Sequence, residues 1–378
     1  MGEEAIRPQP HDETQKAEQT SALVVYPFLQ HYRRGVFREL DRTEGLSVTF
    51  AADTHGRDGI ESMEPSGLER FYPIRTHRFL RVEAQTGLMK VLSNQFDSVV
   101  FYGDVKSLST WVAAAYARLR GMRVYFWTIG WHRPERGLKR AVRLSFYRLS
   151  HSLLVYGHTA REIGVQIGFP GERIHVIGNS ISLEHDCQTD PALPCRPAGE
   201  RTLTVGAVAR LTEVKRFDLL VEACAILRNR GVDIRITLAG SGRCQESLEL
   251  RATKASVPIH FSGSIYSGPE LAQFYGDLDV TVVPQAVGLT AIQSLGYGVP
   301  VISDDDVYGQ MPEWESIVPG VTGDLYRHGD PEDLAEAILR VASWTATPSQ
   351  ISKTCVTEYT TRWSPTVHAN NIAKVLVP

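Results

Sequence analysis

The chain has 378 residues, more than one hydrophobic core usually serves, so its length predicts two domains. Its 43% hydrophobic and 22% charged residues are ordinary for a globular protein, and no apolar run reaches the length of a membrane span. The net charge of −3 lacks the basic excess of a general nucleic-acid binder, so we expect no nucleic-acid partner.

The N-terminal residues are polar and acidic, without aromatic residues or an apolar signal core, and they predict a disordered tail at 1–20. We therefore expect a cytoplasmic protein, with a position at the inner face of the membrane left open. The five cysteines are scattered and lack Cys-x-x-Cys spacing, so neither a disulfide framework nor a zinc site is expected.

After the tail, short apolar β-rich runs alternate with helical patterns. Strands are predicted at 22–26, 46–51, 98–102, 123–127, 152–156 and 174–177. Helices are predicted between them, at 106–120, 138–150 and 160–167. The alternation indicates βαβ units and a parallel sheet covered on both faces, in a first domain at 21–185. A proline-rich, aperiodic stretch then predicts a linker at 186–200.

The same rhythm restarts beyond the linker and predicts a second domain at 201–355. Its strands are expected at 203–208, 234–239, 259–262, 280–283 and 299–303. Its helices are expected at 218–230, 245–254, 269–275, 290–297 and 331–343. A last helix at 364–377 belongs to a terminal segment, 356–378, that we expect to return to the first domain. Two doubly wound domains would direct their ligand loops into a shared cleft.

Two loops of the second half have the chemistry of a phosphate site. In the segment TVVPQAVGLTAIQSLGYGVPVIS, a strand leads through small residues into a short helix, whose free N–H groups and positive dipole end suit a phosphate. The loop after 203–208 carries Arg210 and, five residues later, Lys215. Two cations there could neutralise the rest of a diphosphate, so the loops predict a metal-free seat for a nucleoside diphosphate.

Six segments of the second half also occur in an order that characterises one enzyme family. They are GAVARLTEVKRFDLLVEA, ITLAGSGR, IHFSGSI, ELAQFYGDLDVTVVPQ, GLTAIQSLGYGVPVIS and MPEWESIVPGVTGDLYRHGDPEDLAEAI. In them the chain resembles the retaining nucleotide-sugar glycosyltransferases of family 4. The resemblance implies the GT-B fold, an α/β architecture in which two doubly wound Rossmann-like domains face a central cleft.

The resemblance also implies an activity. It is the transfer of a hexosyl or deoxyhexosyl unit from a nucleotide-diphosphate sugar to a hydroxyl of a glycan, a lipid-linked glycan or a small molecule. Configuration would be retained, and neither a cofactor nor a metal would be needed. Two other classes stay open: a nucleotide-sugar epimerase on the same fold, and a non-catalytic, degenerate sugar-nucleotide binder.

The family pattern assigns roles to residues of the two loops. Arg210 and Lys215 would hold the donor diphosphate and stabilise the charge that develops as it leaves, although alone they could be a solvated loop pair. Further donor contacts are implied for the helix start and two other positions: Gly288, Leu289, Thr290, Gly240 and Glu313. For Gly240 a plain strand-to-helix turn is the alternative, and for Glu313 an ordinary surface position.

The second family signature, Glu-x7-Glu, is replaced here by Gln285 and Gln293. In the family these residues contact hydroxyls of the donor sugar and of the ribose. An amide offers one acceptor and one donor where a carboxylate offers two charged acceptors. One hypothesis is a donor with fewer hydroxyls, such as a deoxysugar or a deoxynucleotide; neutral drift is the alternative.

Three consecutive acidic residues, 304–306, superficially resemble a metal-binding motif, but we interpret them as a solvated turn.

The first half should supply the acceptor side of the cleft. His132 follows the strand at 123–127, although Ile129 lies nearer the position where the family places a histidine. After the first strand, Tyr32 could stack on a sugar, and Arg33 or Arg34 could meet phosphate. An exposed loop and a solvated helix start are the alternatives.

The helix predicted at 138–150 has an apolar stripe of Leu138, Val142, Phe146 and Leu149, with basic residues largely off that stripe. The pattern is typical of an amphipathic surface helix that packs its stripe on the core. Its basic face would also allow peripheral contact with anionic lipid.

Overall fold

The computed structural model describes residues 19–57, 60–80, 82–183 and 202–377. The linker predicted at 186–200 and residues 1–18 of the predicted tail lie outside the described residues. Thr20, which the sequence assigned to the tail, is already the first residue of a strand.

The first half is built on a seven-stranded parallel sheet. The first half has nine strands among the described residues, seven in this sheet and two, β4 and β5, in a separate hairpin. They are β1 (Thr20–Phe28), β2 (Leu46–Asp53), β3 (Phe71–Pro73), β4 (Arg75–Phe79), β5 (Val82–Thr86), β6 (Ser98–Tyr102), β7 (Arg123–Thr128), β8 (Ser152–Val155) and β9 (Ile174–Val176). The sheet order is β3-β2-β1-β6-β7-β8-β9, and β4 and β5 pair only with each other, antiparallel. The central strands are near-continuous apolar runs because both faces of the sheet are covered.

The helices of the first half are α1 (Arg34–Asp41), α2 (Leu88–Leu92), α3 (Leu108–Leu119), α4 (Gly137–Tyr147) and α5 (His158–Gln166). The sequence prediction missed α1, α2, β3 and the hairpin of β4 and β5. The apolar stripe predicted for the helix at 138–150 is confirmed at Phe146, which is buried, and at Leu149, which packs against the core. It is wrong for Leu138 and Val142, which are exposed, whereas Leu144 and Tyr147 are buried instead. The apolar stripe and the buried face of α4 therefore coincide only towards the end of the helix.

The second half contains a six-stranded parallel sheet in the order β12-β11-β10-β13-β14-β15. Its strands are β10 (Leu203–Val208), β11 (Ile234–Ala239), β12 (Ile259–Phe261), β13 (Val280–Val282), β14 (Val301–Asp304) and β15 (Gly323–Tyr326). Its helices are α6 (Phe217–Asn229), α7 (Gln245–Lys254), α8 (Gly268–Gly276), α9 (Leu289–Gly296), α10 (Pro331–Ala342) and α11 (Pro348–Glu358). The sequence missed β15 and α11.

The chain then turns through a π-helical segment, Tyr359–Trp363, into the last helix, α12 (Pro365–Leu376). Ile372 and Leu376 of α12 are fully buried in the core on one face of the first sheet. Arg123 Nη2 donates to the carbonyl of Leu376 at 3.0 Å, which fixes the end of the helix on β7. The terminal helix of the second half therefore packs on the first half.

The predicted α/β class, with two doubly wound halves, is confirmed. In both sheets the order reverses next to the first strand of the half, β1 or β10, and loops at the carboxyl ends of such strands form ligand sites. In the described ranges, no helix is both long and apolar enough to cross a membrane.

Candidate active site

The carboxyl ends of the two sheets border a cleft that contains two adjoining cavities. The first cavity has a volume of about 650 Å³ and the second of about 640 Å³, and both include Tyr102, Ile129, Val214, Ala286 and Met311 in their walls. Each cavity is lined by residues from both halves of the chain. The cleft is therefore large enough for two ligands that meet at its centre.

The loop after β10 brings two cations to the first cavity. Arg210 is exposed at its wall and forms no ion pair with any described residue. Lys215 ends the 3-10 turn Glu213–Lys215 and is half-buried. Its Nζ donates to the carbonyls of Ala286 and Val287, the latter at 3.4 Å. Burial lowers the pKa of Lys215 to about 8; nearby Glu313 opposes that shift and Arg210 adds to it.

The loop before α9 places a helix N-terminus against Lys215. Gly288 has φ of 62° and ψ of −154°, a combination that suits glycine alone. A Cβ added there would lie 3.9 Å from Lys215 Nζ and touch nothing closer than 3.8 Å, so the backbone borders open cleft. Leu289 lines the first cavity, and the Thr290 hydroxyl donates to the carbonyl of Val208 at 2.8 Å, which ties α9 to the end of β10.

Gln310, which is buried, links the loop before α9 to β14 through hydrogen bonds of its side chain. Its Oε1 accepts from Val287 N at 2.9 Å, and its Nε2 donates to Ser303 Oγ at 2.7 Å and to the Asp304 carboxylate. Asp304 is fully buried, also bonds His328, and burial raises its pKa. The prediction of a solvated turn at 304–306 is therefore wrong for Asp304, which braces the loop. No group of three metal-ligating side chains occurs among the described residues.

Glu313 is 2% exposed, so the alternative of an ordinary surface position is wrong. It lies in the 3-10 segment Pro312–Ser316, and Asn179 Nδ2 from the first half donates to its Oε1. Its Oε2 has no hydrogen-bond partner from another described residue, and the side chain lines the first cavity. Burial raises the pKa of Glu313, while Asn179, Arg33 and Lys215 act in the opposite direction.

Arg33 completes this polar network from the first half. Its Nη1 donates to Asn179 Oδ1 at 3.1 Å and its Nη2 to Tyr156 OH at 2.9 Å, and the side chain is 7% exposed. The guanidinium also lies over the rings of Tyr32, Trp127 and Tyr156, with centroids 5.0–5.7 Å away. Tyr32 and Arg33 line the first cavity, whereas Arg34 begins α1 and lines neither cavity.

The two glutamines of the altered signature occupy different surroundings. Gln285 lines the second cavity, and its backbone N donates to the carbonyl of Lys215 at 3.3 Å. Gln293 lines neither cavity. Its Oε1 accepts from Tyr275 OH at 3.1 Å, and Tyr275 stacks on Tyr297 with ring centroids 4.9 Å apart.

Gly240 has a packing role, which fits the plain strand-to-helix turn that the sequence analysis gave as the alternative to a donor contact. Its φ is 130°, and an added Cβ would lie 2.0 Å from the carbonyl oxygen of Ala209. Ala209 N donates to Ala239 O at 2.9 Å, and Leu211 N donates to Ser241 O at 2.9 Å. The absence of a side chain at Gly240 therefore lets the loop after β11 support the loop that carries Arg210.

His132 is exposed in the loop before α4 and lines the second cavity, while Ile129 lines both cavities. The second cavity is rich in cations, with Lys106, Arg133, Lys139 and Arg143 in its walls. Glu135 is buried and pairs with Lys139 at 2.9 Å and with Arg143 at 2.8 Å. The sequence reasoning passed over Lys106 and Arg133, which have no salt-bridge partner among the described residues.

Glu315 joins the two halves beside the cleft. Its two carboxylate oxygens accept from the backbone N atoms of His158 and Thr159, each at 2.8 Å, and so cap the N-terminus of α5. Together with the bond between Asn179 and Glu313, this contact holds the loop before β15 against the first half.

The chain is similar to known glycosyltransferases in sequence over part of its length and in fold over nearly all of it. Residues 202–343 match the model of the family described as glycosyl transferases group 1, a range that includes the loops after β10 and before α9. The chain is 30% identical, over 139 residues, to a GDP-mannose-dependent alpha-(1-6)-phosphatidylinositol dimannoside mannosyltransferase of Mycobacterium tuberculosis. That alignment covers 35% of this chain and 34% of the relative, so the chain spans about a third of the relative's length.

A second curated relative, the amylovoran biosynthesis glycosyltransferase AmsK of Erwinia amylovora, is 25% identical over 47% of this chain and 44% of its own. Solved structures match nearly the whole chain. HepE of Anabaena, in complex with UDP and glucose, has a TM-score of 0.67 at 14% identity, covering 95% of this chain and 99% of that one. The lipopolysaccharide outer core galactosyltransferase WaaB has a TM-score of 0.71 at 14% identity, with the same coverage. The chain has the GT-B fold.

Proposed function

We propose that the chain is a metal-independent retaining glycosyltransferase. It would move a hexosyl or deoxyhexosyl unit from a nucleotide-diphosphate sugar to a hydroxyl of a glycan, a lipid-linked glycan or a small molecule. The observation that carries the proposal is the pair Arg210 and Lys215 at the first cavity, opposite the N-terminus of α9. Lys215 has only carbonyl partners among the described residues, and Arg210 forms no ion pair there, so both positive charges are available to an anion.

The chemistry follows from where charge develops. When the glycosyl–phosphate bond breaks, its electron pair stays on the departing diphosphate, and the negative charge grows beside Lys215 and Arg210. The acceptor hydroxyl attacks the same face of the sugar, and its proton passes to a leaving phosphate oxygen. That transfer retains the configuration and needs no separate base. Fixed cations and the N–H groups of α9 would stabilise the leaving group without a metal.

Glu313 supports a sugar subsite next to this seat. The side chain lies in the wall of the first cavity, and its buried Oε2, which lacks a partner among the described residues, would gain one if a sugar hydroxyl reached it. The acceptor would enter from the second cavity, whose wall holds His132 and Gln285. The two ligands would then meet where the cavities share Ala286 and Met311.

The test is thermal stabilisation of the full chain by nucleoside diphosphates and nucleotide sugars in the presence of a chelator. HepE was solved with UDP, and the mycobacterial relative is GDP-mannose-dependent, so the panel includes uridine and guanosine compounds. We expect one base to raise the melting midpoint, and Arg210→Ala and Lys215→Ala to abolish that shift. Arg251→Ala, which removes an exposed charge from α7, is the matched control. No shift with any compound would refute the donor seat.

A second candidate, a sugar-nucleotide binder without transfer activity, is favoured by the position of Gln293. The family places a ribose-binding carboxylate here, yet the Gln293 amide bonds Tyr275 and lines neither cavity. Release of free diphosphate from a stabilising nucleotide sugar, with and without an acceptor panel, separates the two candidates. Binding without release of diphosphate in any mixture would favour the binder.

The same glutamines allow a test of donor choice. Restoring glutamate at positions 285 and 293 adds two charged acceptors for hydroxyls. If the natural donor has fewer hydroxyls, the wild type should bind deoxy and ordinary donors alike, and the restored variant should prefer the ordinary ones. Equal preference in both proteins would contradict the deoxy-donor hypothesis.

A further inference from the structure

The peptide group between Ala286 and Val287 is held from two opposite sides. On one side its carbonyl accepts a hydrogen bond from Lys215 Nζ. On the other side Val287 N donates to Gln310 Oε1 at 2.9 Å. Because a trans peptide directs its C=O and its N–H in opposite directions, both contacts depend on the same orientation of this one group. Gln310 and Lys215 are therefore connected through a single rigid peptide.

The backbone that carries this peptide is strained. Ala286 has φ of 52°, in the left-handed region that a residue with a Cβ adopts rarely, and Gly288 follows with φ of 62°. Such a conformation persists only where its surroundings impose it, and it is typical of residues beside ligand sites. Here the two hydrogen bonds of the peptide impose it, so the loss of either bond would leave the loop free to relax.

The side-chain amide of Gln310 can turn only its oxygen toward Val287. Ser303 Oγ donates its proton to the carbonyl of Val283 at 2.7 Å, so toward Gln310 this hydroxyl can only accept. Accordingly, Gln310 Nε2 donates to Ser303 Oγ at 2.7 Å and to the Asp304 carboxylate. Gln310 is 3% exposed, so bulk water does not compete with these partners. The donor end of the amide is thus fixed, and the acceptor end must face the peptide.

Asp304 fixes the Gln310 amide and is itself fixed from the loop after β15. The carboxylate is fully buried, and its second oxygen bonds His328 Nδ1, whose side chain is 44% exposed. The backbone N of His328 donates to Asp305 Oδ1 at 2.9 Å, which anchors that loop to the end of β14. A chain of side-chain hydrogen bonds therefore runs from the protein surface to the peptide that holds Lys215.

We propose that Gln310 is a positioning residue of the donor site, which turns peptide 286–287 so that the Ala286 carbonyl holds the Lys215 ammonium at the diphosphate seat. The proposal rests on the proposed function and deepens it, because Gln310 acts on Lys215 while it lines only the second cavity. Without an acceptor at position 310 the peptide would turn, and the ammonium would lose the carbonyl that places it.

The test moves the carboxylate from one end of the Gln310–Asp304 hydrogen bond to the other. In Q310E/D304N the charge of the pair is unchanged, the carboxylate at 310 still accepts from Val287 N, and the amide at 304 donates to it. Q310M/D304N is the matched control, since it differs only in lacking an acceptor at 310. Q310E alone places two carboxylates together and should weaken binding of the diphosphate.

Calorimetric titration of the folded variants with UDP and GDP measures the effect. We expect Q310M/D304N to bind the diphosphate at least about tenfold more weakly than the wild type, and Q310E/D304N to recover to within about threefold. D304N should thus rescue Q310E but not Q310M. Urea titrations separate this result from a merely structural role, in which Q310M/D304N would lose stability while its folded form kept the wild-type affinity. That outcome, or an equal loss of affinity in both double variants, would overturn the proposal.

The titration of Lys215 in the free protein decides the proposal without a ligand. Its signal can be followed by NMR with ¹³C-labelled lysine and assigned with Lys215→Arg. In Q310M/D304N the buried ammonium loses its carbonyl partner, so the pKa of Lys215 should fall below the value of about 8, whereas Q310E/D304N should keep that value. Identical titrations in the two double variants would overturn the positioning role. A wild type that binds no nucleoside diphosphate would instead refute the donor seat of the proposed function.

Discussion

The pKa of Lys215 gives a quantitative test of the diphosphate site. Binding of an anion requires the charged ammonium, but burial lowers the pKa of Lys215 to about 8 in the free protein. At pH 7 about nine tenths of the molecules carry the charge, and at pH 9 about one tenth do, so binding at pH 9 must take up a proton. Affinity for a nucleoside diphosphate should therefore fall about tenfold from pH 7 to pH 9, or ~1.4 kcal/mol.

Calorimetric titration of the diphosphate across this range measures the effect. Lys215→Arg is the control, because a guanidinium keeps its charge throughout the range and any ionisation of the ligand affects both proteins equally. The affinity of the wild type for the diphosphate should decline as the pH rises through 8. The ratio of the wild-type affinity to the Lys215→Arg affinity should decline in parallel. A constant ratio from pH 7 to pH 9 would refute the reasoning that ties the site to a desolvated ammonium.

Three further variants test the groups around Lys215. Gly288→Ala should lower the free energy of unfolding by about 1–3 kcal/mol in urea titrations, because its backbone conformation suits glycine alone; an unchanged midpoint would contradict this. Glu313→Gln keeps an acceptor for Asn179 but removes a negative charge near Lys215, so the pH midpoint of diphosphate binding should move below the wild-type value rather than stay or rise. Arg33→Met should cost about 2–4 kcal/mol, since it deletes charged hydrogen bonds to Asn179 and Tyr156, and full wild-type stability would show that this network contributes nothing.

The architecture was predictable because it depends on local and repetitive signals. The strands Leu203–Val208 and Ile234–Ala239 and the helix Gln245–Lys254 have the bounds that the apolar periodicity predicted. Elements without such a signal were missed. The β4–β5 hairpin is largely exposed and its sequence is mixed, and β15 is only four residues long.

The functional residues of the site were predictable only where they lie on a single loop. Arg210 and Lys215 lie five residues apart on a single loop, so their spacing survives folding. The surroundings of Glu313 and Asp304 depend on residues far away in sequence, Asn179 for the first and His328 for the second. A carboxylate next to a proline or in an acidic run resembles a surface residue until the tertiary partners that bury it are known.

Within the Gln-x7-Gln motif, too, the sequence gives the spacing of the two residues but not the tertiary surroundings of each. Gln285 and Gln293 are eight residues apart, and the sequence treats them as an equivalent pair, yet only Gln285 borders the cleft. At position 293 the amide oxygen is held by the hydroxyl of Tyr275, whose ring is fully buried against Tyr297. A neutral amide there avoids placing a carboxylate among buried rings, where ionisation is costly. A packing constraint at 293 and a ligand constraint at 285 would therefore produce the same substitution for different physical reasons, and single Gln→Glu variants at the two positions should differ in their effect on donor affinity.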